Sequence, residues 1–562
     1  MAVEIHNEPI DDLLPPDAPA AQAMFPQAPF CRGYAWRSSL ARNIFSGATF
    51  CPVMMFAFLT TPFHPHYPFF NHQTPPSSGA DSYPHFRAVI SSSQTRKGQG
   101  DGHKMEEENW VIYEFGQVEL GDKRRKDRLI QLATELGKQP QGSLPEATGS
   151  AAELKAAYRF FDNQDIEACA ILDSHLQATC QRMRLAERVL AIQDTSYLDW
   201  SHHPATQGLG PLMSSGKRGL VTHTTVAFTV EGVPLGVLAQ EVWARDEETY
   251  GQLPDHHDRP IEEKESHKWL KSLACLNEIR VACPETHLVS VGDREADLYD
   301  LFLMDRSAGV DLLVRAAMNR RVEQAERWLW ATVKAQAVSA QLTIQIPARH
   351  GQAARTTRLE IRWRKVRLHP PKRRKQEHLP QVTVWAILAT EKSPPPGVSP
   401  IEWLLLTTVP VRSAQDAIEK IGWYACRWGI EVWFRVLKSG CKLEDRRLAS
   451  AERLTRCLAL YSVIAWRILY ATMLARAVPD LPCTVLLETE EWQALFCAIH
   501  NTAVVTDKPP DIHQAVCWIA QLGGFLARKG DGDPGPMALW KGLQHLADLT
   551  KMYRILRPLP SP

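Results

Sequence analysis

The spacing of apolar residues changes several times along this chain, and each change marks a segment. Residues 1–105 never sustain a period: Pro15-Pro16, Pro62, Pro65, Pro68, Pro75-Pro76 and Ser91-Ser92-Ser93 break every candidate helix or strand. From Glu106 to Arg182 the pattern is helical, first around Arg128-Leu129-Ile130-Leu132-Ala133-Leu136, then from Ala151 to Phe161, with Pro140 and Pro145 as turns. Strand-like runs follow at Arg188–Gln193, Val221–Val230, Val233–Trp243 and Thr286–Val291, with a helix expected over Glu262–Leu276. Leu342–Thr408 is again β-rich, and its basic stretch from Arg364 to Lys375 reads as a loop, either solvated or clamped on DNA. Ala449–Ala477 returns to a helical period, stopped by Pro479 and Pro482. Strands followed by a helix and a further strand predict an α/β mixed sheet with helical cover.

Between Tyr424 and Lys438 a different pattern appears. Tyr424, Arg427, Glu431 and Lys438 interrupt a run rich in Trp, Ile, Val, Phe and Leu. On one α-helix they project at about 0°, 300°, 340° and 320°, which places the last three on a single stripe. Charges framed by Trp423, Ile430, Trp433 and Leu437 are costly unless paired, or unless they hold a metal and a phosphate. An i,i+4 ion pair between Arg427 and Glu431 on a solvated face is the plainer alternative.

Composition narrows the class without naming a partner. The 562 residues are 44% apolar and 23% charged, the balance of a globular protein long enough for several domains. A net charge of +1 leaves any DNA contact to local basic clusters. Twelve scattered cysteines, without a C-x-x-C pair or zinc spacing, argue against a disulfide scaffold and suggest a reducing compartment. The apolar stretch Ala48–Thr60 is broken by Cys51-Pro52 and too short to span a bilayer, so neither a membrane nor a targeting segment is expected. Met105 opens the patterned sequence, so residues 1–105 are either a disordered arm or the result of a mistaken upstream start.

Two further carboxylates sit where strands are expected to end, Asp194 after Val189-Leu190-Ala191-Ile192-Gln193 and Asp293 after Leu288-Val289-Ser290-Val291-Gly292. Each alone fits a turn or an N-cap. With Glu431 they offer three hard oxygen donors of the kind that bind divalent ions, and two such ions can activate an attacking oxygen and stabilise a leaving one in phosphodiester chemistry. Lys123-Arg124-Arg125-Lys126, Arg128, Lys155 and Arg159 supply basic side chains for phosphates, or simply a solvated face.

The order Asp194, Asp293, Glu431, with Tyr424-x-x-Arg427-x-x-x-Glu431-x-x-x-x-x-x-Lys438, resembles the DDE transposases of the insertion sequence four family, which includes the transposase of transposon five. Leu120-Gly121-Asp122-Lys123-Arg124-Arg125, Ala157-Tyr158-Arg159-Phe160, Ile192-Gln193-Asp194-Thr195, Gly292-Asp293-Arg294-Glu295-Ala296-Asp297, Trp403-Leu404-Leu405-Leu406-Thr407 and Leu522-Gly523-Gly524-Phe525 extend the likeness from about Trp110 onward. The resemblance implies a ribonuclease H-like core over 183–335 and 411–445 and a β-rich insertion over 336–410. It also implies a helical DNA-binding domain over 106–182 and a helical dimerisation region over 446–562.

It implies cut-and-paste transposition as well. A dimer binds double-stranded DNA at the terminal inverted repeats and at the target, and cleavage and strand transfer depend on two Mg²⁺ ions, replaceable by Mn²⁺, on Asp194, Asp293 and Glu431. Tyr424, Arg427 and Lys438 would then neutralise or bond phosphate, Trp403 would stack on a flipped base, Arg315 would sit near the DNA hairpin, and Arg124, Arg125 and Arg128 would contact the ends. Ala317 stands where the transposon five enzyme has a lysine, a departure that touches strand handling. Trp403 read without the family is a core tryptophan on an apolar strand. The resemblance carries a cytoplasmic, bacterial setting, with the protein on the nucleoid when bound to DNA. The competing functions are a nuclease without strand transfer, a DNA-binding regulator or decayed copy without catalysis, and a hydrolase of small phosphate esters.

Overall fold

The structure is a computed structural model in which residues 110–556 are described, apart from 215, 249, 251–258 and 347–354. The expectation for residues 1–105 falls outside the described residues. Ten strands form one sheet: β1 (Arg188–Asp199), β2 (Gly210–Pro211), β3 (Arg218–Phe228), β4 (Pro234–Trp243), β5 (His287–Gly292), β6 (Val310–Arg315), β7 (Ala340–Ile346), β8 (Arg355–Leu368), β9 (Val382–Glu391) and β10 (Glu402–Thr407). The path across the sheet is β2-β3-β1-β5-β6-β10-β9-β8-β7, with β4 also paired to β3.

Strand composition explains the order. β1 reads Val-Leu-Ala-Ile without a polar break because it is central and covered on both faces. It pairs antiparallel with β3 and parallel with β5, and β5 pairs parallel with β6. Leu190 and Ile192 point into one apolar cluster with Ile430 and Trp433, while Val189 and Ala191 point into another with Trp269 and Leu273. The helix Trp428–Arg435 therefore covers one face of β1 and the helix His267–Ala282 the other.

The β-rich stretch is continuous with this sheet. β10 pairs antiparallel with β6, and β9, β8 and β7 follow as a meander. The expected basic loop is instead the end of β8 followed by a 3₁₀ helix, Lys372–Glu377. Val366 and Leu368 alternate with the basic residues and are buried, which explains why the strand continues through them.

Of the N-terminal helices at Trp110–Phe115, Lys123–Lys138, Ala151–Asp162 and Ala168–Met183, the last packs on β4, and Ala451–Ala477, Thr489–His500, Ile512–Leu522 and Pro536–Leu556 are the main C-terminal helices among the described residues. Ala451–Ala477 is long and apolar enough to cross a membrane, but 89% of its apolar window is buried against protein. It packs on β4 and on Ala168–Met183. A buried cluster fastens these parts together: Glu114 accepts from Arg182 at 2.7 Å and meets His175 Nδ1 at 2.5 Å, while the Val237 amide donates to His175 Nε2 at 2.9 Å. Arg182 and His175 hold the Glu114 carboxyl down to about 2 despite the opposing effect of burial. No disulfide joins the cysteines among the described residues.

Candidate active site

Asp194 lies inside β1, because antiparallel pairing with β3 carries the strand on to Asp199, with Asp194 opposite Thr224. What ends nearby is the parallel pairing with β5, whose last rung joins Ile192 to Val291. Asp194 and Asp293 each come two residues after that rung, so both carboxylates leave the sheet at the level where the strands part. Asp293 also serves as the N-cap of the 3₁₀ turn Arg294–Ala296, accepting from the Glu295 amide at 2.8 Å. The capping role and the rim position coexist.

Glu431 reaches the same rim from the helix Trp428–Arg435, but Tyr424 to Lys438 is not one regular helix. The helix Ala414–Ala425 ends at Cys426, tighter bonds from the Arg427 amide to Tyr424 (3.1 Å) and from the Gly429 amide to Cys426 (2.8 Å) reset the winding, and Val436–Gly440 forms a π turn. The single-stripe projection fails for that reason. Lys438, on the π turn, bonds the Tyr197 carbonyl and lies 3.4 Å from Glu444, so it fixes β1 and does not join the carboxylates. Gly429 permits the docking itself, since a Cβ there would stand 2.6 Å from the Phe228 ring on β3.

Arg427 is the centre of the arrangement. It donates to Asp194 Oδ2 at 3.2 Å and to Glu431 Oε1, bridging two of the three acids. The ion pair expected on a solvated face is present, but its Arg427 side chain is only 12% exposed. Burial opposes the charge of Arg427, and Glu431 and Asp194 outweigh that effect and raise its pKa. Asp194 moves in the other sense. Burial pushes its carboxyl up to about 7, Arg427 pulls against this, and Asp293 and Glu431 push it further up. The rise at Asp194 is chiefly the cost of burying its charged form, which Arg427 offsets only in part and to which Asp293 and Glu431 add.

A second group adjoins this one. Tyr424 is buried, its phenol held above its usual pKa by burial while the nearby Arg427 and Arg315 charges pull the other way. Burial lowers the pKa of Arg315, which donates to the Glu402 carbonyl at 3.2 Å. Trp403 stands edge-on to Tyr424, with ring centroids 5.4 Å apart, and is 8% exposed, a packed position on β10. The loop that carries Ala317 is anchored by Asp297, which accepts from the Ala317 and Met318 amides at 2.8 Å and pairs with Arg320 at 2.7 Å. Sequence reasoning assigned no role to Asp297 or Glu444. The acids of Gly292-Asp293-Arg294-Glu295-Ala296-Asp297 differ only by environment, and burial of Asp297 becomes visible once the chain is folded.

The basic residues of the N-terminal helices divide by exposure. Arg124 is 91% exposed and pairs at 3.0 Å with Asp122, the N-cap of its own helix. Arg125 is turned inward to Asp165 and the Leu120 carbonyl, and Arg128 bonds Gln131 at 2.8 Å, which in turn bonds Glu153 on the helix Ala151–Asp162 at 3.1 Å. Lys123, Lys155, Tyr158 and Arg159 are exposed.

Asp194, Asp293 and Glu431 are hard oxygen donors of the kind suited to a divalent cation, and Asp293 and Glu431 lie near enough to Asp194 to oppose its ionisation. Among the described residues no three His, Cys, Asp or Glu side chains form a ready-made metal cage. Arg427 stands between Asp194 and Glu431 instead.

Residues 107–166 match the family model "Transposase DNA-binding", and residues 463–559 match "Transposase Tn5 dimerisation domain". A solved structure, "Cryo-EM structure of piggyBac transposase synaptic complex with hairpin DNA", aligns over 70% of this chain and 72% of that one, at 11% identity and a TM-score of 0.29. A score that low carries no argument about this chain.

Proposed function

Starting from a chain that is similar to the transposases of transposon five at both ends, we propose that it is a DDE transposase that binds terminal inverted repeats as a dimer and cuts and rejoins DNA. The observation that carries the catalytic part is the Arg427 bridge between Asp194 and Glu431, with Asp293 raising the Asp194 pKa from beside them. The sheet order supports a ribonuclease H-like core. Leaving out the two-residue β2, the first five strands run 3-2-1-4-5 across the sheet, with an antiparallel 3-2-1 meander and parallel 1-4-5 pairing.

On this reading Asp194, Asp293 and Glu431 hold two Mg²⁺ ions, or Mn²⁺ in their place. When bound, the ions activate the attacking water or 3′-hydroxyl and stabilise the leaving oxygen. The chain's own groups prepare that site. Arg427 keeps two acids together in the ion-free protein and, once released from one, is a charged donor for phosphate. Tyr424 and Arg315 form a second polar pair against the same rim. Trp403, moved out of its contact with Tyr424, offers a face to an extruded base, a stack worth about 1–3 kcal/mol. Exposed Lys123, Arg124, Lys155 and Arg159 contact phosphates of the element's end, and Arg125 and Arg128 brace the helices that present them.

A mixture of the purified protein, Mg²⁺ and DNA carrying the flanking genomic repeats tests the reading. Wild type gives nicked, hairpin or excised products, and Asp194→Ala gives none. Equal products from both refute the assignment of that aspartate. Joining of the released 3′ ends to a target separates transposition from hydrolysis alone.

A further inference from the structure

The opposite face of β1 carries a polar chain that the nuclease chemistry does not use. Gln193 and Thr195 flank Asp194 and, by the alternation of a strand, point away from it. His223 on β3 links them. Its Nδ1 lies 2.9 Å from Thr195 Oγ1, and its Nε2 lies 3.3 Å from Gln193 Oε1. Gln193 Nε2 then donates to Ser290 Oγ on β5 at 2.7 Å. The directions are consistent throughout: the amide oxygen can only accept, so Nε2 carries the imidazole hydrogen and Nδ1 accepts from the threonine hydroxyl.

Gln193, His223 and Ser290 are each 2% exposed or less, and the Trp269 ring covers His223 at a centroid distance of 4.7 Å. Burial and the nearby Lys268 lower the His223 pKa well below its ordinary value, which keeps this hydrogen-bond sense. A purely structural sheet needs no such chain, because apolar residues of the same shape can be nearly neutral or better there.

The location is informative. The chain crosses β3, β1 and β5 at the level where β1 and β5 part, one residue either side of Asp194 and three before Asp293. We propose that Thr195, His223, Gln193 and Ser290 are positioning residues that fix the separation of Asp194 and Asp293 and so set the affinity of the site for divalent metal. The proposal rests on the nuclease reading above. Groups that hydrogen-bond metal ligands directly change metal affinity by about 10–100-fold when removed, and these side chains act one step further back, through the backbone of β1 and β5 that carries the ligands.

The test compares Gln193→Met and Thr195→Val, which break the chain with little change of volume, with Thr195→Ser, which keeps the hydroxyl. Two readouts are taken: Mn²⁺ affinity of the full-length protein by electron paramagnetic resonance, and binding to repeat-bearing DNA without metal. The expected result is metal affinity weakened about 10-fold or more in the two breaking variants. Thr195→Ser should match wild type, and DNA binding should be retained by all three. Unchanged metal affinity in Gln193→Met and Thr195→Val overturns the proposal. Parallel loss of metal and DNA binding in both also overturns it, since a general structural role would do that. Neither readout needs DNA cleavage, so absence of cleavage by wild type defeats the nuclease reading separately.

Discussion

Arg427 and Asp194 meet at 3.2 Å, yet the carboxyl of Asp194 is pushed up to about 7 and not down. The ordinary effect of a guanidinium is overridden by burial and by Asp293 and Glu431. A buried carboxyl that resists ionisation has consequences for stability and for metal binding.

Stability comes first. The folded pKa of Asp194 lies above its unfolded value, so the acid favours the fold when protonated, and that contribution is lost as pH rises from about 4 through about 7. The full shift corresponds to roughly 4 kcal/mol. Asp194→Asn removes the titration, although it turns into a donor one of the two oxygens that accept from the Thr195 backbone amide at 2.8 Å and from Arg427 at 3.2 Å. In metal-free protein the difference in melting temperature, variant minus wild type, should grow more positive from pH 5 to pH 8. A flat difference across that range contradicts the assigned pKa.

Metal binding should compete with the same proton. Mg²⁺ requires the ionised carboxylate, so its affinity should rise about tenfold per pH unit below pH 7 and level off above it. Titrations of the metal between pH 5.5 and 8.5 measure this. An affinity independent of pH would mean that Asp194 is ionised throughout and that its environment is less hostile than the geometry indicates.

Much of this was legible in the sequence, and the failures have physical causes. The central strands stood out because burial on both faces leaves no polar break, and Asp194, Asp293 and Glu431 marked themselves by ending or interrupting such runs. The helical projection from Tyr424 to Lys438 failed because it assumed 100° per residue, while a reset at Cys426–Arg427 and a π turn at Val436–Gly440 shift everything beyond. No local propensity signals a π turn, which depends on what the helix packs against. The polar trio Gln193-Asp194-Thr195 was visible as a string, but its division between two faces and its link to His223 and Ser290 needed the pairing of β1 with β3 and β5.

Gly429 offers a test of how the helix bearing Glu431 is seated. A methyl group there meets the Phe228 ring at 2.6 Å, and the ring is fully buried, so it has little room to retreat. Gly429→Ala should lower stability by about 1–3 kcal/mol through overpacking. The added Phe228→Leu change should recover part of the loss, measured by denaturant midpoint at constant m-value. Equal stability of Gly429→Ala and wild type would mean that the helix shifts freely on β3.

The two neighbouring arginines of the N-terminal helix should separate binding from folding. Arg124 is 91% exposed and, among the described residues, is held by Asp122 of its own helix start, so it is available to a phosphate at small cost. Arg125 is committed to Asp165 and the Leu120 carbonyl, contacts that tie the helix start to the segment after Ala151–Asp162. Arg124→Ala should therefore weaken binding to repeat-bearing DNA and reduce the dependence on salt by about one released ion, with melting unchanged. Arg125→Ala should lower the melting temperature, and the binding that remains should keep the wild-type salt dependence. Fluorescence anisotropy at several salt concentrations, beside thermal melts, distinguishes them. The reverse pattern, with Arg125 setting the salt slope and Arg124 leaving it unmoved, would mean that the Asp165 contact opens on DNA and that the inward side chain is the one that reaches phosphate.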